Sequence, residues 1–449
     1  MNEPPLKTIL YWCPACNVPL LGEHCGCGAS GGPIPLLRPY DVRPVLHHDR
    51  MLIARLLSER FGAGILPQIV LLNKTGGIDR KDLIIAHGRR FGWLSFDPDL
   101  RSYSLDIAFD ALPFLLPHAS RGIVDISEIM RNQRGRRIGG KRFPVETDEP
   151  DGTVILIAGD RAGIGVLRDG YLRVRQMGRV ASETMPDPAW EDAIKLNKRH
   201  LKNLERNAVR FIRSQIKPDI RINVAFSGGK DSTAVLELAR RAGVHDAFFV
   251  DTGLEFPETR SFVGSKELPV ILNSEDFWHE VKKRGPPRKD DRWCCEFLKL
   301  APVMKWLAGG RCVTIQGNRW YESFSRAGLS AIEKNPFNPR QLNVSPIRSW
   351  RALEVFLYIW WRNLACNPLY EMGLERIGCW MCPAMMESEW ERVRAIHPEL
   401  AQRWLGYLSK WADRNNLPSD FIRCGVWRWK NLPPKMVKFT QSGNISGKL

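Results

Sequence analysis

Apolar and polar positions follow three rhythms along this chain. Residues 190–215 place Ile194, Leu201, Leu204, Ala208 and Phe211 near helical spacing in an Arg/Lys-rich background, predicting a long polar helix that bridges a front and a back half. Behind it, an apolar run at 222–226 predicts a buried strand, 233–242 a helix, and 246–250 the next strand. That order is a βαβ unit with a parallel sheet. In front, short apolar runs at 122–126, 153–158 and 172–174, separated by Gly and Asp turns, predict a β-rich stretch. Residues 33–100 mix a Pro-rich start, a helical pattern at 50–60 and a strand-like run at 68–73, an α+β segment whose pattern assigns it no role. The final segment is rich in tryptophan, and Trp404, Trp411, Trp427 and Trp429 read as packing residues. Together these elements predict a multidomain α/β protein.

Composition narrows the partners. At 449 residues the chain can bury several cores, and its formal net charge of +17 suits a polyanion, although a generally basic proteome would give the same sign. No apolar stretch reaches the length of a membrane span, and the first residues lack the basic-then-apolar layout of a signal peptide, so the expectation is a cytoplasmic protein. Of the 11 cysteines, eight fall into tight pairs, which points to metal ligation in a reducing compartment more than to disulfides.

The chemistry concentrates in four places. Ser227-Gly228-Gly229-Lys230-Asp231-Ser232, set between strand and helix, forms a phosphate cradle: the glycines permit a tight turn, the helix start supplies N–H groups, and Lys230 adds a full charge. Its spacing is not that of a Walker-type P-loop. Cys13 and Cys16, then Cys25 and Cys27, make two knuckles able to close a tetrahedron around zinc, with His24 left facing solvent. Cys294-Cys295 and the later Cys379 and Cys382 form a second set, which could hold an iron–sulfur cluster or zinc. Finally, Arg131, Arg134, Arg136, Arg137, Lys141 and Arg142 crowd a glycine-containing loop, which is either a phosphate-contacting loop or a solvated face.

Beyond the cradle, Asp251-Thr252-Gly253-Leu254-Glu255-Phe256-Pro257-Glu258-Thr259 resembles a signature of the phosphoadenosine phosphosulfate (PAPS) reductase family, part of the PP-loop ATP pyrophosphatase group. Gly317-Asn318-Arg319-Trp320-Tyr321-Glu322-Ser323 with Arg326, then Pro346-Ile347 with Trp350, Asn367-Pro368-Leu369-Tyr370, Gly373 and Gly378-Cys379 match its later landmarks. The resemblance covers roughly residues 217–385. It implies an adenine nucleotide α-hydrolase-like parallel sheet with flanking helices. It also implies an adenine nucleotide (APS, PAPS or ATP) held by Ser227, Gly228, Gly229, Lys230, Asp231 and Ser232, with Asp251, Thr252, Gly317, Arg319 and Arg326. By likeness to adenylyl-sulfate (APS) reductases, Cys294, Cys295, Cys379 and Cys382 are expected to hold a [4Fe–4S] cluster, with Lys299 and Pro302 in the downstream stretch. The family's Arg-Lys is Leu298-Lys299 here, which leaves one positive contact missing. Separately, 152–159 followed by Gly163-Ile164-Gly165-Val166 resembles a PUA domain, a compact RNA-binding barrel.

The implied organisation is a zinc ribbon at 1–32, the α+β segment at 33–100, a PUA-like β-barrel at 101–183 and a helical linker at 184–216. A PP-loop domain at 217–372 and an Fe–S and Trp-rich segment at 373–449 follow. Two functions follow from the resemblance. In the first, APS or PAPS is reduced to sulfite: Cys424, beside Arg423 and Gly425, attacks the sulfur with Lys230 and Arg319 assisting, and a thioredoxin-like electron donor releases sulfite. In the second, ATP on the same turn adenylates a base of tRNA or another RNA held by the PUA-like part, and sulfur replaces the oxygen. Cys312 and Cys366 read as core residues.

Overall fold

The apolar runs become four sheets, and the computed structural model describes residues 6–133, 139–181, 185–272, 276–323 and 326–437 of them and their connections. Strands β1 (Ile9–Cys13), β2 (Val18–Leu20) and β3 (Gly32–Pro35) form a small antiparallel sheet in the order β2-β1-β3. Next, β4 (Val42–Pro44), β5 (Val70–Lys74), β6 (Lys81–Ala86), β7 (Arg89–Asp97) and β8 (Ser102–Ile107) make an antiparallel meander in chain order. The helix His47–Phe61 covers it through Leu52, Ile53, Leu57 and Phe61. Because β8 pairs along β7 from Gly92↔Ile107 to Asp97↔Ser102, this sheet runs past residue 100 into the stretch expected to open the barrel.

The third sheet contains β9 (Ile123–Asp125), β10 (Arg142–Pro144), β11 (Gly152–Ala158), β12 (Arg161–Arg168) and β13 (Tyr171–Arg179) in the order β10-β13-β12-β11-β9. Its edges β9 and β10 are not paired with each other among the described residues, so the five strands form an open sheet where a closed barrel was expected. Arg134, Arg136 and Arg137 of the basic loop lie outside the described residues, and Arg131, Lys141 and Arg142 are exposed.

The back half is a doubly wound sheet. Strands β14 (Arg221–Phe226), β15 (Ala247–Asp251), β16 (Val270–Leu272), β17 (Cys312–Ile315), β18 (Ile332–Lys334) and β19 (Gln341–Val344) take the order β16-β15-β14-β17-β19-β18. All are parallel except β18, which runs antiparallel along β19. The chain leaves β14 toward β15 on one side and returns to β17 on the other, so the strand order reverses between β14 and β17. Open α/β sheets receive their ligands in the crevice at that reversal.

One core joins the halves, and a second packs within the back half. In one, Leu10, Trp12 and Leu20 of the first sheet join Leu201 and Ala208 of the helix Trp190–Arg213 and Val224, Ala234 and Leu357 around β14. The other is aromatic: Trp293, Trp380, Trp390, Trp404 and Trp427 pack with Phe256 and Phe277. Trp404 and Trp427 are at most 1% exposed, as packing residues should be. A buried charge network ties the meander to the back half. Arg43 pairs with Asp49 and Glu375, both at 2.8 Å, Arg80 with Asp49 at 2.9 Å and Asp82 at 2.8 Å, and Lys74 with Glu375 at 3.2 Å. Among the described residues no helix is long and apolar enough to cross a membrane.

A second ionic tie has a pH signature. Glu354 is fully buried and pairs with Arg351 at 3.1 Å and Lys7 at 2.9 Å. Burial opposes its ionisation, but the two cations outweigh burial and bring the carboxyl down to about 2. A depressed carboxyl contributes stability above its unfolded pKa, near about 4.3, and loses it as pH falls through the folded value. The wild type's stability to chemical denaturation should therefore fall as pH drops from about 4.5 to 2. Glu354→Gln should flatten that limb and cost about 3–5 kcal/mol at neutral pH, since Arg351 and Lys7 lose their partner.

Candidate nucleotide and sulfur site

β14 ends at Phe226, and the chain turns through Ser227, Gly228 and Gly229 into the helix Lys230–Ala242. Gly228 sits at φ +74°, and a Cβ there would come within 3.0 Å of the Thr259 methyl, so the position requires glycine twice over. Side chains stitch the turn: Ser232 Oγ donates to the Gly229 carbonyl at 2.9 Å and accepts from Ser227 N at 3.2 Å. Asn367 Nδ2 donates to the Gly228 carbonyl at 3.2 Å, and Tyr370 Oη accepts from Lys230 N at 2.8 Å. The other N–H groups of the first turn, as at any helix start, have no helical partner and offer themselves to an anion.

The turn after β17 backs onto this one. A Cβ at Gly317 would lie 2.9 Å from the Asp231 backbone and 3.0 Å from Ser232 N, so only glycine lets the two turns meet at the strand-order reversal. Between them lies a cavity of about 290 Å³ lined by Ser227, Gly229, Asp231, Gln316, Gly317 and Asn318. It shares Lys230, Glu322, Arg326, Tyr370, Glu375 and Arg376 with a neighbouring cavity of about 280 Å³. The far wall of that second cavity is Asp41, Arg43, Asp49 and Lys74 of the front meander region. The segment to which the sequence assigned no role thus encloses the site.

The sequence-selected cations divide by environment. Lys230 is buried at the cavity, its Nζ 2.9 Å from Asp231. Arg319, expected to grip an oxyanion, is 2% exposed and otherwise committed. Its Nε donates to Asp231 at 2.6 Å, Nη1 and Nη2 to Asp41 at 3.0 and 3.2 Å, and Nη1 also to the Trp350 carbonyl at 3.2 Å. It positions Asp231, whose carboxyl is held down by Arg319 and then Lys230 despite burial. Glu322 accepts from Arg319 N at 3.0 Å and pairs with Arg326, which lines both cavities. Asp251 faces Arg260 at 3.1 Å.

Thr252 connects the nucleotide turn region to sulfur. Its Oγ1 donates to Glu255 at 2.9 Å and lies 3.5 Å from Cys379 Sγ, with Cys382 N bonded to the Cys379 carbonyl at 3.1 Å. Burial raises the Cys379 thiol to about 12, whereas a hydrogen bond from Cys294, then Lys299 and Arg292, brings Cys295 down to about 6 against burial. Lys299 is raised, chiefly by Cys379, with Glu255, Cys295 and Cys382 adding to it, so all these groups lie within electrostatic reach of one ammonium. Leu298, where the family has a cation, is 1% exposed in the aromatic core. Cys424 is half-buried: burial raises its pKa, Arg423 opposes, and Asp420 and Asp99 add to the rise. Cys312 is buried on β17, and Cys366 is raised to about 11 by burial.

The N-terminal cysteines have the geometry of a metal centre. The sulfurs of Cys13, Cys16, Cys25 and Cys27 all lie within 4.8 Å of one another, and Cys13 Sγ is 3.7 Å from Cys27 Sγ. Four thiolates at about 2.3 Å from one tetrahedral ion are separated by about 3.8 Å. Without a cation they compete for protons, Cys25 being raised to about 11 by burial and Cys27 lowered to about 7, mainly by the Ala29 N–H. His24 is exposed and outside the cluster. Asp41, Arg43, Lys74 and Glu375 were not legible as site residues, because they meet the cleft only through contacts hundreds of residues apart.

A phosphate-binding turn at the reversal point of a doubly wound parallel sheet defines a nucleotide-binding domain of the PP-loop class. The family profile described as phosphoadenosine phosphosulfate reductase domain matches residues 221–385, and the chain belongs to that PP-loop family. It is 33% identical over 467 residues to an uncharacterized protein of Methanocaldococcus jannaschii, covering 95% of this chain and 97% of the relative. It is 26% identical over 223 residues to the adenosine 5'-phosphosulfate reductase of Deinococcus radiodurans, covering 48% of this chain and 78% of that enzyme. A crystal structure of phosphoadenylyl-sulfate reductase from Candida auris, 20% identical, aligns over 41% of this chain and 96% of its own with a TM-score of 0.33.

Two outcomes test the site. Overpacking typically costs about 1–3 kcal/mol, so Gly317→Ala should weaken ATP or AMP binding at least about tenfold by calorimetry, with the fold retained by circular dichroism. Purified protein should carry one zinc equivalent, counted apart from any iron, that Cys25→Ser removes, measured by elemental analysis, with a lower melting temperature.

Proposed function

We propose that the chain is an adenylyl-sulfate reductase of the APS/PAPS type. The nucleotide lies across the ends of β14 and β17, with its anionic end on Ser227–Ser232 and Lys230, while Arg319 holds Asp231 and through it Lys230. Cys424, as thiolate, attacks the sulfur. The Sγ–S bond forms as the S–O bond to the phosphate breaks, and the adenosine phosphate leaves with that oxygen. A dithiol donor of the thioredoxin type then delivers two electrons, freeing sulfite and restoring the thiol. A [4Fe–4S] cluster on Cys294, Cys295, Cys379 and Cys382 would supply redox and electrostatic chemistry beside the sulfate. Zinc on Cys13, Cys16, Cys25 and Cys27 would brace the first sheet. The observation that carries this reading is the 3.5 Å contact of Thr252 with Cys379, which sets the sulfur-bearing loop at the end of β15, one strand from the phosphate turn.

A second reading is favoured by Cys424 itself, whose raised pKa and carboxylate neighbours suit a nucleophile poorly. There ATP adenylates a base carbonyl oxygen of an RNA and pyrophosphate leaves; hydrosulfide from a sulfide-level donor then attacks that carbon, and AMP leaves with the oxygen. Arg142 and Arg173, directly opposite on β10 and β13, have no carboxylate partner among the described residues and offer that RNA two cations on the third sheet.

Anoxically purified protein given APS or PAPS with thioredoxin and reductant should release sulfite. Cys424→Ser should abolish the release, and Lys230→Ala should lower kcat/KM about 100-fold. Full sulfite release by the Cys424 variant would sink the first mechanism. No sulfite, with RNA-dependent pyrophosphate release from ATP, would establish the second.

A further inference from the structure

The helix Trp190–Arg213 does more than bridge the halves. Its buried side, with Ala193, Leu201, Ala208 and Ile212, faces the first core. On the opposite side Lys195, Lys198, Arg199, Lys202, Arg206 and Arg210 are all exposed. At 100° per residue these six fall within an arc of about 120°, and at 1.5 Å per residue they form a stripe about 22 Å long. Among the described residues none of the six has a carboxylate within 4.0 Å or a side-chain hydrogen bond, whereas Glu205, on the flank, is taken by Arg362 and Arg241. Like charges four residues apart weaken a helix, and this stripe contains four such pairs in Lys195/Arg199, Lys198/Lys202, Lys202/Arg206 and Arg206/Arg210.

The stripe is also held rigid. Gly26 N, between two metal-set cysteines, donates to the Leu196 carbonyl at 3.1 Å, and Asn197 bonds Leu21 N and the Pro19 carbonyl, each at 2.8 Å. The cations therefore need no ordering of the backbone when a ligand arrives. Asn203 and Asn207 beside the stripe are exposed and polar, and Glu191 and Asp192 at the helix's N-terminal end, just before the cations, are exposed and acidic, so the face has nothing apolar to insert into a bilayer. A straight, narrow row of unpaired cations on a rigid element matches a line of phosphates.

We propose that this helix face docks the phosphate backbone of a nucleic acid. The inference concerns a surface outside the nucleotide cleft and stands with either reaction above.

The test is fluorescence anisotropy with the full chain and a labelled 24-bp duplex, in RNA and DNA arms, without nucleotide or turnover. Tight binding to one duplex should show a log–log salt slope near about −5, from six phosphate contacts. Reversing Lys195, Lys202, Arg206 and Arg210 to Glu should cut affinity at least about 100-fold, and changing the same four to Gln should reduce the slope by about 4. Reversal of four exposed cations elsewhere, Arg55, Lys305, Lys334 and Lys410, should cost far less. The arm that binds identifies RNA or DNA. The proposal is overturned if the Gln variant, folded by circular dichroism, binds both duplexes like wild type. It is equally overturned if the elsewhere-reversed variant loses as much affinity, or if anionic lipid vesicles, and neither duplex, are bound through the stripe.

Discussion

The molecule depends on one buried arginine. Arg319 leaves β17's turn and commits its guanidinium to Asp231 at the start of the phosphate-turn helix, to Asp41 ahead of the front meander, and to the Trp350 carbonyl. A carboxylate pair around a fork-shaped cation satisfies three elements that share no sequence neighbourhood. Asp41 in turn accepts from the Ala352 N–H at 2.7 Å, extending the tie to the helix Ala352–Trp361. The cleft keeps its shape because this cation is shielded from solvent, where the same pairings would be weak.

The two cysteine sets differ in what surrounds them. The N-terminal one has four sulfurs crowded within tetrahedral reach of one centre and almost no other chemistry nearby. The other is spread between a helical turn at Cys294-Cys295 and the loop at Cys379 and Cys382, with Lys299, Glu255 and Thr252 among its neighbours. A compact set suits a single ion that braces structure. The wider set instead surrounds a cation, Lys299, whose ammonium is raised chiefly by Cys379.

What the sequence revealed was local. The turn Ser227–Ser232 and the knuckles at Cys13–Cys16 and Cys25–Cys27 are built from neighbours, so spacing and residue type carry them. The βαβ rhythm likewise foretold β14, its helix and β15. The front half was harder: the breaker Asp97-Pro98-Asp99 beside the domain edge drawn at 100/101 is only the hairpin turn between β7 and β8, and alternation resumes through Tyr103, Leu105 and Ile107. Arg319 looked like an oxyanion ligand because a lone arginine in a motif carries no sign of its partners. Its burial arises from Asp41, 278 residues away, and the Arg43–Glu375 pair spans 332. Such contacts exist only once the chain is packed, and no periodicity announces them.

The shared core of the first sheet, the long helix and β14 has a consequence for how this chain can vary. Leu10, Trp12 and Leu20 cover the same apolar surface as Leu201 and Val224, so the nucleotide domain is not a cassette that can be lifted out with its surface intact. Cutting before the long helix would bare a greasy flank beside the cleft. Fusions, grafts and minimal fragments drawn around the matched residues 221–385 would inherit that wound, and insolubility of such a fragment would report on missing cover, not on missing chemistry.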